Sequence, residues 1–357
     1  MNELYFHDKH IELRVGDALE EMRSLPDASV DCVVTSPPYW GLRDYGTAVW
    51  LGGDPGCLHT LGTTPHQRRT VKKRVPGLRS GAGKQCRNCG AIAHDRQYGL
   101  EPTIDEYVNR VRDVSAEVWR LLSAHGTFWI NLRDTFSYHN SGTGRTGTAT
   151  SVESARGVRH KSLMGIPWRV ALSLQQDGWI IRNAIIWHKP NAIPDPASDR
   201  YSSRYEMVFF LVKQPEYHFD GDQALEPLSQ SRPAHRKNHR GGTKPHTVKT
   251  PWRPTSNGKN LGDVWSISTR PLPEAHCAPF PIDLPHRCIA AGCPENGRVL
   301  DPFSGAGTTG LAARQLGRSF QGIDLRADYH DIFLQRLRQQ GWRIEAANEG
   351  KPGVDVA

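Results

Sequence analysis

Apolar residues along the chain recur with two different periods that take turns. "DCVVTS" (31–36) is a short unbroken run of apolar and β-branched residues, which predicts a buried strand. "PTIDEYVNRVRDVSAEVWRLLSAHG" (102–126) instead returns an apolar residue every three to four positions, at Ile104, Tyr107, Val108, Val111, Val118, Leu121 and Leu122, and predicts a helix. Thr103 and Glu106 form a capping box behind Pro102, and Gly126 stands where a helix stop is expected. "TFWINL" (127–132) reads as the next strand. The helix-then-strand order repeats in "IPWRVALSLQQDG" and "WIIRNAIIWHK", and "YEMVFFLVK" adds another strand. "RVLDPF", "AGTTGLAARQLG" and "SFQGIDL" form a strand–helix–strand unit, closed by a helix in "ADYHDIFLQRLRQQG". Such alternation implies an α/β fold, a doubly wound, mostly parallel sheet covered by helices.

Three segments interrupt this rhythm without a core of their own: 54–97, rich in Gly, Arg, Lys and Cys; 137–161, a Gly/Ser/Thr loop; and 228–260, which holds no Asp or Glu but many Arg, Lys and His. The 357 residues suffice for one large α/β domain with insertions, or for two domains. No apolar run approaches a membrane span, and the first residues lack a signal-peptide core, so no membrane partner is expected. Seven irregularly spaced cysteines argue against a secreted disulfide framework and for the reducing cytoplasm. A net charge of +8 favours a polyanionic partner such as nucleic acid.

"VLDPFSGAGTTGLAA" carries Gly305, Gly307 and Gly310 as G-x-G-x-x-G between a predicted strand and a predicted helix. Glycines there let the backbone turn tightly and approach a ligand at a helix N-terminus. Asp324 ends the next strand, where a carboxylate can accept from ribose hydroxyls. A nucleoside-containing cofactor follows, against the simpler reading of a tight strand–helix turn. Asp301 is an awkward neighbour for the pyrophosphate of a nicotinamide cofactor, but it suits the ammonium of S-adenosylmethionine.

The strand at 31–36 ends in Ser36-Pro37-Pro38-Tyr39, followed by Trp40. Paired prolines restrict the backbone to an extended shape, so the Pro37 carbonyl and the Ser36 hydroxyl are expected at the crevice beyond the sheet, with both rings exposed. Two fixed acceptors can hold an exocyclic nucleobase amine so that its lone pair faces a methyl sulfonium, and an aromatic face can stack on a base taken out of the duplex. The plainer alternative is a structural Pro-Pro turn with packed rings.

With these residues in view, the chain resembles the S-adenosylmethionine-dependent DNA amino-methyltransferases of the β arrangement, in which a [DNS]-P-P-[YFW] tetrapeptide precedes the methyl-donor loop. "TSPPYW" matches the first motif and "DPFSGAGTTG" the second; "VGDAL", "AHCAPFP", "GLEPTIDEY" and "DVWSISTRP" extend the likeness over most of the chain. The resemblance implies a Rossmann-like methyltransferase fold with a target-recognition insertion, and it leaves unassigned the cysteine-rich basic insertion, for which zinc is expected from its ligand spacing. It implies catalytic Ser36, Pro37, Pro38 and Tyr39, and a cofactor cleft made by Asp17, Ala18, Phe280, Pro281, Asp301, Pro302, Phe303, Ser304, Gly305, Gly307, Thr308, Thr309 and Asp324. The expected division is 1–53 with 98–212 as the catalytic half, 54–97 as a basic zinc insertion, 213–260 for target recognition, 261–342 as the cofactor half and 343–357 as a tail. Double-stranded DNA is the implied partner, for a monomer or homodimer in the cytoplasm of a bacterium or carried by a phage. Serine at the first tetrapeptide position is commoner in enzymes acting on cytosine N4 than on adenine N6. C5 methylation is disfavoured, because it needs a cysteine nucleophile, usually in a Pro-Cys pair that this chain lacks.

Cys57, His59, Cys86 and Cys89 make C-x-H…C-x-x-C, a closed ligand set for structural zinc, with Gly90 suited to the turn and His94 in reserve. A metal would order a segment poor in apolar residues; free thiols are the alternative. Cys32 is expected in the core, and Cys277, Cys288 and Cys293 in the core or at the surface. "RPAHRKNHRGGTKPHTVKTPWR" and "HQRRTVKKRVPGLR" are candidate phosphate-contacting strips, or else solvated linkers. A zinc-dependent DNA-binding protein without catalysis and a nicotinamide oxidoreductase are the rivals from other classes.

Overall fold

The computed structural model describes residues 3–42, 45, 47–59, 85–137, 158–159, 161–195, 197–223, 225–226, 259–270 and 279–344. Both basic strips, most of the 137–161 loop and most of the expected target-recognition region lie outside them, as does Cys277.

The strands are β1 (Glu3–His7), β2 (Ile11–Val15), β3 (Val30–Thr35), β4 (Val49–Leu51), β5 (Ile92–His94), β6 (Leu122–Leu132), β7 (Ile180–His188), β8 (Tyr205–Val212), β9 (Leu225–Glu226), β10 (Lys259–Asn260), β11 (Val264–Ser266), β12 (Arg298–Asp301) and β13 (Ser319–Asp324). The helices are α1 (Ala18–Arg23), α2 (Ile104–Leu121), α3 (Ile166–Gln176), α4 (Asp283–Gly292), α5 (Thr308–Gln315) and α6 (Ala327–Gln339). Nine strands form one sheet in the order β1-β2-β13-β12-β3-β6-β8-β7-β11. Its centre, from β2 to β6, is parallel, so their carboxyl ends share one edge. The strand read from "YEMVFFLVK" runs antiparallel to both its neighbours.

Alternation along the strands explains why their sequences look continuously apolar. Phe128, Ile130, Met207, Phe209 and Leu211 point to one face, where α2 and α3 cover them. Trp129, Val208, Phe210 and Val212 point to the other, together with side chains of α4, α5 and α6 such as Ile289, Leu311 and Phe333. Cys32, Cys288 and Cys293 are buried in that second layer.

Thr103 caps α2, its hydroxyl accepting from Glu106 N at 3.2 Å. The helix nevertheless stops at Leu121, and Gly126 lies inside β6, where the pairing with β3 slips between Val30 and Cys32. A side chain at Gly126 would meet the Asp31 carbonyl at 3.1 Å, so close approach of two strands, not a helix cap, calls for glycine. Trp40 also departs from expectation: it is 2% exposed, and its indole donates to the Glu101 carbonyl at 2.8 Å. Pairing of β4 with β5 makes a small ribbon at the base of the cysteine-rich excursion. Among the described residues, no helix is long and apolar enough to cross a membrane.

Candidate active site

The carboxyl ends of β2, β3, β12 and β13 surround a cavity of about 770 Å³. Ser36, Pro37, Pro38 and Tyr39 line one side of it; Asp301, Pro302, Phe303, Ser304, Gly305, Thr308 and Asp324 line another, with Ala18 and Phe280. The tip of β3 and the glycine loop after β12 therefore share one space. Four other expected residues do not line it. Asp17 caps α1, its Oδ1 accepting from Leu19 N at 3.0 Å and Glu20 N at 3.2 Å. Pro281 is buried behind Phe280 in sequence, and Thr309 is 0% exposed. Gly307 has φ +71°, and a Cβ there would lie 2.2 Å from the Phe333 ring, so α6 packing demands this glycine. Gly305, by contrast, has φ +48° with open space where a side chain would be.

Two buried carboxylates organise the glycine-loop side. Asp301 accepts from the hydroxyls of Thr35 and Thr309, each at 2.6 Å, and from Phe303 N at 3.1 Å. It thereby ties the end of β3 to the loop. Asp324 accepts from Gly305 N and Arg326 N, both at 2.9 Å. Burial pushes both carboxyls up to about 6, against the hydrogen bonds that favour their ionised forms. The Ser304 hydroxyl is buried there with no hydrogen-bond partner among the described residues. Two anionic groups and an orphan hydroxyl around open space fit a cationic ligand bearing hydroxyl or ammonium donors.

On the opposite side, Tyr39 extends its hydroxyl to Glu206 Oε2 at 2.7 Å and lies 2.8 Å from Asn131 Oδ1. Ser36 Oγ sits 3.1 Å from the Tyr39 hydroxyl and 3.3 Å from Asn131 Oδ1. Burial, then the Glu206 charge, raises the Tyr39 phenol well above its usual value. The Pro38 carbonyl accepts from the Tyr107 hydroxyl at 3.1 Å, whereas the Pro37 carbonyl has no hydrogen bond among the described residues. Glu206 Oε1 pairs with Lys189 Nζ, whose ammonium burial destabilises and Glu206 partly restores. Asn131, Lys189 and Glu206 were not foreseen; Asn131 and Glu206 were signalled by a polar residue near the end of an otherwise apolar run, whereas Lys189 follows a strand of mixed character and carried no such signal.

Cys57, His59, Cys86 and Cys89 come together with all ligand atoms within 4.8 Å of one another. Cys57 and Cys86 sulfurs are 3.9 Å apart, and Cys89 Sγ is 3.3 Å from His59 Nδ1. A tetrahedral site with metal–sulfur bonds of about 2.3 Å has sulfur–sulfur edges of about 3.8 Å, so the spacing fits zinc. Gly90 adopts φ +78° and donates to the Cys86 carbonyl at 2.9 Å, closing the knuckle turn. Trp50 of β4 stacks on His59 with centroids 4.9 Å apart. His94 stands exposed on β5, outside the cluster.

Residues 30–335 match the family described as DNA methylase. The chain is 32% identical to the type II methyltransferase M.Cfr9I of Citrobacter freundii, over 92% of this chain and 88% of that one. It is 33% identical to M.XycI of Xanthomonas campestris pv. cyanopsidis over the same shares, 92% and 88%. PvuII DNA methyltransferase, titled cytosine-N4-specific, superposes with a TM-score of 0.55 at 16% identity, covering 94% of this chain and 95% of that chain. By its matched length and its relatives, with the tetrapeptide preceding the glycine loop, the chain belongs to the DNA methylase family of N6- and N4-amino-methyltransferases.

Proposed function

We propose that this DNA amino-methyltransferase acts on the exocyclic N4 amine of a cytosine extruded from duplex DNA, with S-adenosylmethionine as donor. The observation that carries the reading is the shared cavity: Ser36 and the unengaged Pro37 carbonyl face the same space as the glycine loop and its two carboxylates. When bound, the cofactor supplies a methyl group on a positive sulfonium. Asp301, Asp324 and the unpartnered Ser304 hydroxyl would hold its cationic and hydroxyl-bearing parts, with Phe303 and Phe280 against its flat part. Ser36 Oγ and Pro37 O would take the two amine hydrogens of the base and turn the nitrogen lone pair toward the methyl donor. Tyr39, held by its hydroxyl, would offer a ring face to the base. No nucleophilic residue is needed: the amine itself would attack the methyl carbon, the carbon–sulfur bond would break to leave a neutral thioether, and the surplus amine proton would pass to solvent.

Serine at position 36, in place of the aspartate commoner in adenine-specific members, favours cytosine N4 over adenine N6. Digesting enzyme-treated DNA to nucleosides and weighing the product tests this. N4-methylcytosine is expected; N6-methyladenine would replace the assignment by the second reading, and absence of any methylated nucleoside would favour a DNA binder without catalysis.

The cysteine–histidine cluster is read as structural zinc, since four protein ligands leave no open position. Purified protein should carry about one zinc per chain. Cys86→Ser should lose the metal and lower the melting temperature; metal-free native protein of unchanged stability would rule the site out.

A further inference from the structure

A serine hydroxyl can donate or accept, but a target amine needs an acceptor. Holding that amine, as proposed above, therefore requires the Ser36 proton to be engaged elsewhere. We propose that Glu206, backed by Lys189, is a positioning residue that fixes the direction of the hydrogen bonds around Ser36, so that the Ser36 oxygen meets the base amine as an acceptor.

Strand pairing builds the arrangement. Glu206 lies opposite Trp187 across the β7–β8 pair, and Lys189 follows directly after β7. Asn131 projects from neighbouring β6, opposite Val208. Glu206 has a side chain only 4% exposed, and Lys189 only 16%. Lys189 Nζ also lies 4.2 Å from the centroid of the Trp187 ring, and Arg133 adds a further positive charge nearby. Both Lys189 and Glu206 line the cavity beside Tyr39.

The direction of each bond then follows from what each group can do. A carboxylate has only acceptor oxygens, and Glu206 Oε1 is already committed to Lys189. Oε2 faces the Tyr39 hydroxyl at 2.7 Å, and as a charged acceptor it outcompetes the neutral Asn131 Oδ1 at 2.8 Å, so the Tyr39 proton points to Glu206. Asn131 cannot reverse this. Its Nδ2 donates to the Met207 carbonyl at 3.1 Å, which turns Oδ1, an acceptor, toward the two hydroxyls. The Tyr39 oxygen and Asn131 Oδ1 are thus both acceptors, at 3.1 Å and 3.3 Å from Ser36 Oγ. The Ser36 proton is drawn inward, and its lone pairs are left for the cavity. Tyr39 thus links an ion pair to the acceptor that the amine meets, besides presenting its ring.

Glu206→Gln keeps size and shape but places an amide donor within reach of the Tyr39 oxygen, which permits the whole line to reverse. The expected result is a fall in kcat of about 10²-fold, with DNA KM and cofactor affinity within about threefold of the parent. Lys189→Arg, which keeps the cation, should retain far more activity than Lys189→Met. The deciding measurement is a double-mutant cycle with Ser36→Ala in single-turnover methyl transfer. If Glu206 acts through Ser36, Glu206→Gln costs less than about threefold once Ser36 is gone. Multiplying losses, or full activity in Glu206→Gln alone, would overturn the proposal. Should Glu206→Gln fail to bind cofactor, Lys189→Met in both backgrounds makes the same test. Full activity in Ser36→Ala alone would instead refute the tetrapeptide reading on which this rests.

Discussion

The tip of β3 and the loop after β12 stand side by side at the edge of one sheet, yet they are held by opposite means. The β12 loop is shaped from within its own neighbourhood: Asp301 and Asp324 grip backbone amides and threonines, and glycine supplies the turns. The β3 tip is shaped from outside. Prolines stiffen it, but its polar groups are anchored by Tyr107, Asn131 and Glu206 on three other elements. One side concentrates negative charge on donors' partners and suits a cation; the other sets out neutral acceptors and suits an amine. Methyl transfer from a sulfonium to a base nitrogen needs both, facing each other across a shared space.

The comparison breaks most severely at Asp301. Asp301→Ala takes the acceptor from the buried Thr35 hydroxyl, leaves the Thr309 hydroxyl only the Val34 carbonyl at 3.4 Å, and removes an anion from the cavity, loosening the loop from β3. Cofactor affinity measured by calorimetry should fall at least about 10²-fold, since charge-assisted bonds are among the stronger ones.

A smaller effect separates the two sides by pH. Burial raises Asp301 and Asp324 to about 6, above the ordinary 3.8. A bound cation favours their ionised forms, so binding releases protons near that pH. Cofactor affinity should therefore weaken on acidification below about pH 6, by up to about tenfold per pH unit for each proton released. Stability of the free protein has the opposite sign. Between about pH 4 and 6 the folded state binds more protons at these carboxyls than the unfolded chain does. Their contribution to stability therefore falls as pH rises through that window. Calorimetry in buffers of differing ionisation heat, with melting curves across the same range, checks both slopes.

The mildest change lies on the proline side. Tyr107→Phe removes the donor to the Pro38 carbonyl while keeping the buried ring. About 1 kcal/mol of stability should be lost, with kcat lowered only a few-fold and cofactor affinity unchanged.

The same contrast decides what could be read in advance. The glycine loop was legible because its logic is local: strand, glycines, helix and Asp324 follow one another within one stretch. Even there, the reason for Gly307 was missed, since Phe333 reaches it from the next helix. The tetrapeptide was visible as a motif, but its supports were not. Asn131 and Glu206 lie 92 and 167 positions from Tyr39, and only strand order brings them near. Gly126 misled for a related cause, as glycine marks a helix stop and a close strand crossing equally well. Both N-terminal strands were passed over, although β2 completes the parallel run beside β13. The cysteine–histidine grouping, by contrast, was apparent from spacing, because each pair of its residues is close in sequence, and the pairing of β4 with β5 brings the two pairs together.

The most direct test of the central claim is methyl transfer by Ser36→Ala/Tyr39→Ala, measured with labelled donor alongside cofactor affinity. If the β3 tip holds the base while the β12 loop holds the donor, label incorporation into duplex DNA should vanish and cofactor affinity should stay within about threefold of the parent. Transfer at the parental rate in that variant would contradict the account.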